Sequence, residues 1–279
     1  MTERERASGR DLSVDDFDPA GNRASVRGAG EPLPLPEVLP GVSLWWSDLA
    51  HEASEIARVA AWLSPAENAR AARFGTEALR RKYIAGRTSL RLILGRALGI
   101  EPAAVPIRRG RRGRPELAAA TPAPDFNVSH TRGGAVIGIA HGLPPGARIG
   151  VDVERQDRML AADRLARKFL SAQEQATLPD ADADLRRLRF LRYWTCKEAM
   201  SKATGDGLVA PFGRLSVAID SGLALVAGPP PYIPADWRLH VIAVPAGFLA
   251  TIAIWHGTAA PHGAGLPDIV QNAASREAS

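Results

Sequence analysis

Gly150-Val151-Asp152-Val153-Glu154, read together with Trp194-Thr195-Cys196-Lys197-Glu198-Ala199-Met200-Ser201-Lys202, frames the rest of the chain. From Arg148 to Glu154, Ile149, Val151 and Val153 alternate with Gly150, Asp152 and Glu154. That period of two predicts a strand with both carboxylates on one face. The second segment falls in a predicted long helix, Leu185 to Thr204, where Glu198 and Lys202 stand four apart and share a face. Three carboxylates without a histidine or cysteine cluster suit a hard, oxygen-preferring cation, Mg²⁺ foremost. Neighbouring lysines and arginines suit a substrate rich in phosphate. Two plainer readings stand beside this one: a half-buried strand with a solvated acidic face, and an ordinary exposed Glu–Lys pair.

Working outward, Val42 to Trp46 reads as an opening strand and Ala50 to Leu63 as helical. Ser64-Pro65-Ala66-Glu67 carries a serine cap, a proline at the first helical position and a glutamate three residues on. A longer helix is predicted from Glu77 to Leu98, capped by Thr76 and closed by Gly99. Short strands follow at Val105 to Arg108, Asp125 to Ser129, Ala135 to Ala140 and Arg148 to Glu154. The second half repeats the plan. Ala161 to Phe169 is helical, Ser171-Ala172-Gln173-Glu174 is another capping box, and Gly205-Asp206-Gly207 closes the long helix. Strands then come near Leu215 to Ile219, Leu223 to Val226, Trp237 to Val244 and Phe248 to Ile254. The pattern implies an α+β body of two similar halves, although no repeat of residue identity is visible. The expected divisions are an extension over 1–40, halves over 41–147 and 148–257, and a tail over 258–279; both ends are read as disordered.

A net charge of +5 and a pI near 9.9 point to anionic partners. Cys196 stands alone, so no intrachain disulfide is expected, which suits a reducing cytoplasm. The N-terminus lacks a signal-peptide core and no apolar run reaches spanning length, so a soluble, cytoplasmic chain is expected. Phosphate-loop, dinucleotide and zinc-protease motifs are missing from the sequence. Arg108 to Arg114 packs five arginines into a glycine-punctuated loop. It reads as a phosphate-gripping loop, a solvated basic hairpin, or a nucleic-acid-binding loop. Ser129 and His130 end a predicted strand. Their side chains point to opposite faces, which disfavours a direct proton relay and suits either phosphate binding or a satisfied turn histidine.

Taken in order, Arg87, Gly113-Arg114-Pro115, Phe126-Asn127-Val128-Ser129-His130, Gly150-Val151-Asp152-Val153-Glu154 and Trp194-x-x-Lys197-Glu198-Ala199-x-x-Lys202 resemble the 4′-phosphopantetheinyl transferases of the Sfp type. The resemblance covers about Val42 to Ile254. It implies a pseudo-dimer of two similar α/β halves, each with a small, mostly antiparallel sheet packed on helices, and a monomeric chain. It implies transfer of the phosphopantetheine arm of coenzyme A to a serine of an acidic apo carrier protein, releasing adenosine 3′,5′-bisphosphate. The polyketide, nonribosomal peptide or fatty acid pathways would be served. Asp152, Glu154 and Glu198 fall at the family's Mg²⁺ positions, and Glu198 is also its favoured general base. Lys202 falls where a lysine assists the leaving diphosphate. Arg87, Arg114, Ser129, His130 and Lys197 match positions that hold coenzyme A. Glu67 falls where family members often carry a basic residue. No nucleic acid or membrane partner is expected; the alternative is a basic nucleic-acid-binding protein using the Arg108 to Arg114 loop.

Overall fold

A computed structural model describes residues 31–50, 53–110, 113–118, 123–179 and 182–257. Its first half runs β1 (Leu33–Pro34), β2 (Val42–Asp48), α1 (Ala53–Val59), α2 (Pro65–Ala71), α3 (Glu77–Leu98), β3 (Ile107–Arg109), β4 (Pro115–Leu117), β5 (Asp125–Thr131) and β6 (Gly134–Ala140). The second runs β7 (Arg148–Arg155), α4 (Ala162–Phe169), α5 (Ala172–Ala176), α6 (Ala183–Thr204), β8 (Ser216–Ala218), β9 (Ala224–Ala227), β10 (Trp237–Ile242) and β11 (Phe248–Trp255).

Each half has a central strand flanked by two antiparallel partners: β6 between β2 and β5, and β11 between β7 and β10. A small hairpin, β3–β4 or β8–β9, follows the long helix in each. α3 and α6 are both 22 residues long. Thr76 caps one through Leu79 N–H and Asp182 caps the other through Leu185 N–H. Both end at a glycine with positive φ, Gly99 at 65° and Gly205 at 78°, a conformation that side chains disfavour. Both expected capping boxes form, with Ser64 and Ser171 accepting from the glutamate N–H three residues on.

Those capping glutamates go on to do the same job in each half. Glu67 Oε2 accepts Arg91 Nε at 2.7 Å, and the Arg91 guanidinium also binds the carbonyls of Pro102, Ala103 and Val105. Glu174 Oε2 accepts Lys197 Nζ at 2.5 Å, and the ammonium also binds the carbonyls of Phe169, Phe212 and Leu215. Arg91 and Lys197 stand at the same position of their helices, fifteen residues after the caps Thr76 and Asp182. The halves are therefore duplicates at the level of individual polar contacts. Burying such cations is costly unless every donor is met, and here the partners are supplied.

Two features unite the halves. One core cluster joins Val42, Leu44 and Val136 of the first to Ile149, Val151, Val153, Ile252 and Ile254 of the second; each such side chain contributes roughly 1.5–3 kcal/mol when fully buried. At the other, β5 runs beside β7 without a backbone ladder, its side chains meeting the β7 N–H groups instead. α6 lies against β7 so closely that a Cβ on Gly150 would stand 2.0 Å from the Ala199 carbonyl oxygen.

One sequence expectation changes and one open reading is narrowed. The extension placed over 1–40 contains β1, which pairs with Trp45 and Trp46, while Leu35, Val38 and Leu39 pack on the shared core; residues 1–30 lie outside the described residues. The prolines broke the apolar periodicity without preventing packing. The arginine loop is a hairpin in which Arg108 pairs with Glu116 and Arg114 turns inward; Arg111 and Arg112 lie outside the described residues. The 258–279 tail also falls outside them. No helix among the described residues is long and apolar enough to cross a membrane.

Candidate active site

β7 carries Asp152 and Glu154 on the side that faces β5 and α6. Both are buried, at 5% and 9% exposure, which removes the reading of a solvated acidic face. Asp152 Oδ1 accepts Lys202 Nζ at 2.6 Å and the Ser129 hydroxyl at 2.9 Å. Asp152 Oδ2 is buried without a hydrogen-bond partner. Glu154 receives the guanidinium of Arg158, the Thr131 hydroxyl at 3.5 Å and the Trp194 side chain. Trp194 itself is held among Phe169, Phe190 and Phe212.

The electrostatics follow from crowding. Burial, then the charge of Asp152, pushes the Glu198 carboxyl up to about 7 despite the opposing pull of Lys202. Glu154 is raised by the same two causes in the same order. Three carboxylates thus crowd together with two more accessible cations, Lys202 and Arg158. A buried, unmatched carboxylate oxygen costs at least about 1–3 kcal/mol, so Asp152 Oδ2 is a natural place for a further positive charge. By donor type, Asp152, Glu154 and Glu198 fit a hard divalent cation. As they are placed, no three acidic, histidine or cysteine side chains among the described residues close around one point.

Beside the cluster lies a cavity of about 540 Å³, lined by Lys82, His130, Arg132, Arg155 and Arg158 and by the acidic Glu154 and Asp157, of which Asp157 pairs with Arg132 and Arg155 and Glu154 with Arg158. Partial burial, then the positive charges of Lys82 and Lys202, lowers the His130 imidazolium. That shift favours the neutral ring, and an arriving anion would oppose it. A smaller cavity of about 290 Å³, against Pro34, Trp45 and His141, touches no member of the acidic cluster.

The tertiary structure gathers Asp152, Glu154, Glu198, Lys202, Ser129 and His130. Three others are not brought there as free cations. Lys197 is completely buried, with its ammonium given to Glu174 and three carbonyls. Arg114 binds both oxygens of Asp125 and the carbonyls of Lys202 and Ile149. Arg87 Nε is held 2.8 Å from Glu67, outside the cavity lining. The acidic residue at position 67 thus serves as an internal anchor for Arg87 and Arg91. Sequence reasoning missed Lys82, Thr131 and Arg158. Thr131 was within reach, since it continues the alternation from Ser129 on β5. Nothing local marks Lys82 or Arg158.

Comparison with known proteins bears on this arrangement. Residues 148–253 match the family model described as the 4′-phosphopantetheinyl transferase superfamily. Residues 46–141 match that of the N-terminal region of a 4′-phosphopantetheinyl transferase. The two matches fall on the two halves. The chain is 34% identical over 223 residues to the 4′-phosphopantetheinyl transferase HetI of Nostoc sp., covering 77% of this chain and 92% of that protein. It is 30% identical to a phosphopantetheinyl transferase of Thraustochytrium sp., over 63% of this chain and 64% of that protein. A solved holo-[acyl-carrier-protein] synthase of Thermotoga maritima aligns with 39% of this chain and 62% of its own, at 18% identity and a TM-score of 0.31.

Proposed function

Because the chain belongs to the 4′-phosphopantetheinyl transferase superfamily, we propose that it moves the phosphopantetheine arm of coenzyme A onto a serine of an apo carrier protein. The observation that carries this reading is the half-buried Asp152–Lys202–Glu198 cluster standing beside a cavity in which Lys82, His130, Arg132, Arg155 and Arg158 outnumber the acidic Glu154 and Asp157. An acid–base centre adjoining a cationic pocket suits a nucleotide diphosphate whose phosphorus is to be attacked.

In the proposed reaction the carrier serine oxygen bonds to the phosphorus that bears pantetheine. The bond from that phosphorus to the bridging diphosphate oxygen breaks, and adenosine 3′,5′-bisphosphate leaves. Glu198 takes the serine proton directly or through water. Lys202 Nζ lies beside Asp152 and offers positive charge to the diphosphate oxygens as the adenosine 3′,5′-bisphosphate leaves. His130 and Lys82 on the cavity wall would bind coenzyme A phosphates. Asp152, Glu154 and Glu198 are the residues that would hold Mg²⁺, which would neutralise charge building on the phosphate oxygens. The net charge of +5 favours acidic carriers. We place the protein as a cytoplasmic monomer serving polyketide, nonribosomal peptide or fatty acid synthesis. The nucleic-acid reading loses support from Arg108 and Arg114, which are both paired within the fold.

The test is to incubate purified protein with coenzyme A, Mg²⁺ and several apo carriers and to record intact carrier masses. A gain of one phosphopantetheine, abolished by chelation, is expected. No gain on any carrier together with no coenzyme A binding would refute the reading.

A further inference from the structure

The seam between the halves gives Ser129 a role that the cavity does not. Along β5, Asp125, Asn127 and Ser129 alternate onto one face and accept hydrogen bonds from Ile149, Val151 and Val153 N–H at 2.7, 3.0 and 3.3 Å. Each rung joins residues 24 apart, so the register is constant. Polar side chains stand where the carbonyls of a parallel strand would be. Arg114 fixes the first rung by gripping both Asp125 oxygens.

The last rung differs. The Ser129 hydroxyl accepts from Val153 N–H, accepts from Lys202 Nζ at 2.8 Å, and donates to Asp152 Oδ1 at 2.9 Å. A hydroxyl has one proton and two lone pairs, and all three are in use. Ser129 is also 3% exposed and absent from the cavity lining.

We propose that Ser129 is a positioning residue for Asp152 and Lys202. One hydroxyl, carried by the first half, sets the spacing of a carboxylate and a cation that the second half supplies from β7 and α6. It commits Asp152 Oδ1 and leaves Oδ2 as the oxygen open to a ligand. The first half thus takes part in the chemistry by holding the second half's groups. This assignment rests on the proposed transferase reading for its catalytic meaning, while the geometry it describes does not.

The experiment compares wild type, Ser129→Ala and Ser129→Thr in two measurements. The first is the rate at which an amine-acylating reagent modifies Lys202, read by peptide mass against the exposed Lys168 as internal reference, with no cofactor present. Ser129→Ala should raise the Lys202 rate by about threefold or more, and Ser129→Thr should restore it, because the hydroxyl returns. An unchanged Lys202 rate in folded Ser129→Ala overturns the proposal, whatever the chain catalyses. The second pairs coenzyme A affinity by calorimetry with turnover. Ser129→Ala should lower kcat by about tenfold or more with the coenzyme A Kd unchanged. A tenfold weaker Kd with kcat intact would make Ser129 a ligand and sink the assignment. Failure of the wild type to bind coenzyme A or modify carriers would remove the transferase reading alone, since the labelling ratio still decides the positioning claim.

Discussion

Lys202 Nζ lies 2.6 Å from Asp152 Oδ1, an ion pair that ties the last turn of α6 to the middle of β7 across 50 residues of chain. Glu198, one turn earlier on α6, feels the same aspartate as a repulsive charge. Asp152 is thus the group through which the helix and the strand communicate, attracting one helical residue and raising the proton affinity of the other.

Removing members of this cluster should separate activity from folding. Asp152→Ala and Glu198→Ala are expected to lower phosphopantetheine transfer by about a hundredfold or more, the scale of losing an acid–base or electrostatic group. Far-ultraviolet circular dichroism should be unaltered. Either variant turning over at the wild-type rate with saturating Mg²⁺ would remove that residue from the centre. Lys202→Ala should depress kcat more than it weakens carrier binding.

The elevated Glu198 gives stability a pH slope. The folded chain keeps that proton up to about 7, whereas an unfolded chain gives it up near the ordinary value of 4.5. Through this group the folded state binds more protons between those values, so the Glu198 contribution to stability should fall as pH rises from about 4.5 to about 7, by at most roughly 3 kcal/mol. Urea titrations of wild type and Glu198→Gln across that range should differ by this slope. Added Mg²⁺ should also reduce it if these carboxylates bind the ion, because a cation favours their charged forms.

Lys197 gives a contrasting result. Burial lowers its proton affinity although Glu174 opposes the shift, and its ammonium is fully used inside the fold. Lys197→Met should cost about 3–5 kcal/mol by leaving the buried Glu174 carboxylate without its countercharge. Coenzyme A affinity of the remaining folded protein should not change. A stable variant with weakened coenzyme A binding would return Lys197 to the cofactor site.

Gly150 tests the contact that sets the cluster's geometry. A methyl group there would meet the Ala199 carbonyl and the Ala203 nitrogen at 2.0 and 2.6 Å, both backbone atoms. Gly150→Ala should therefore cost about 3 kcal/mol or more and lower kcat in whatever protein folds, because α6 must move away from β7. A variant with the wild-type denaturation midpoint would show that the helix does not sit this close.

Cys196 is buried and its thiol is pushed up to about 12, burial being the main cause. It should resist a thiol reagent in native buffer and react on unfolding, so its labelling rate reports global opening. Rapid modification of the native protein would contradict the packing of α6 on β11.

The elements were legible from the chain because local physics fixes them. Thr76 and Gly99 bound α3 as their cap chemistry requires, and the alternation in Arg148 to Glu154 put Asp152 and Glu154 on one face before any fold was known. The β1 strand was not legible, since Leu33 and Pro34 are ordered only by pairing with Trp46 and Trp45. Arg114 and Lys197 looked like cations for a phosphate because sequence records charge and not the partner that consumes it.

Local pattern was enough to assign which side chains share a strand or helix face, the order of the two halves and the carboxylate pattern, because periods of two and 3.6 act over a few residues. Which polar groups remain free was settled by long-range folding. That outcome depends on contacts such as Ser129 with Lys202, 73 residues apart, and Arg114 with the Lys202 carbonyl, 88 apart. A donor's availability is what remains after distant parts of the chain have claimed it, and no local pattern encodes that remainder.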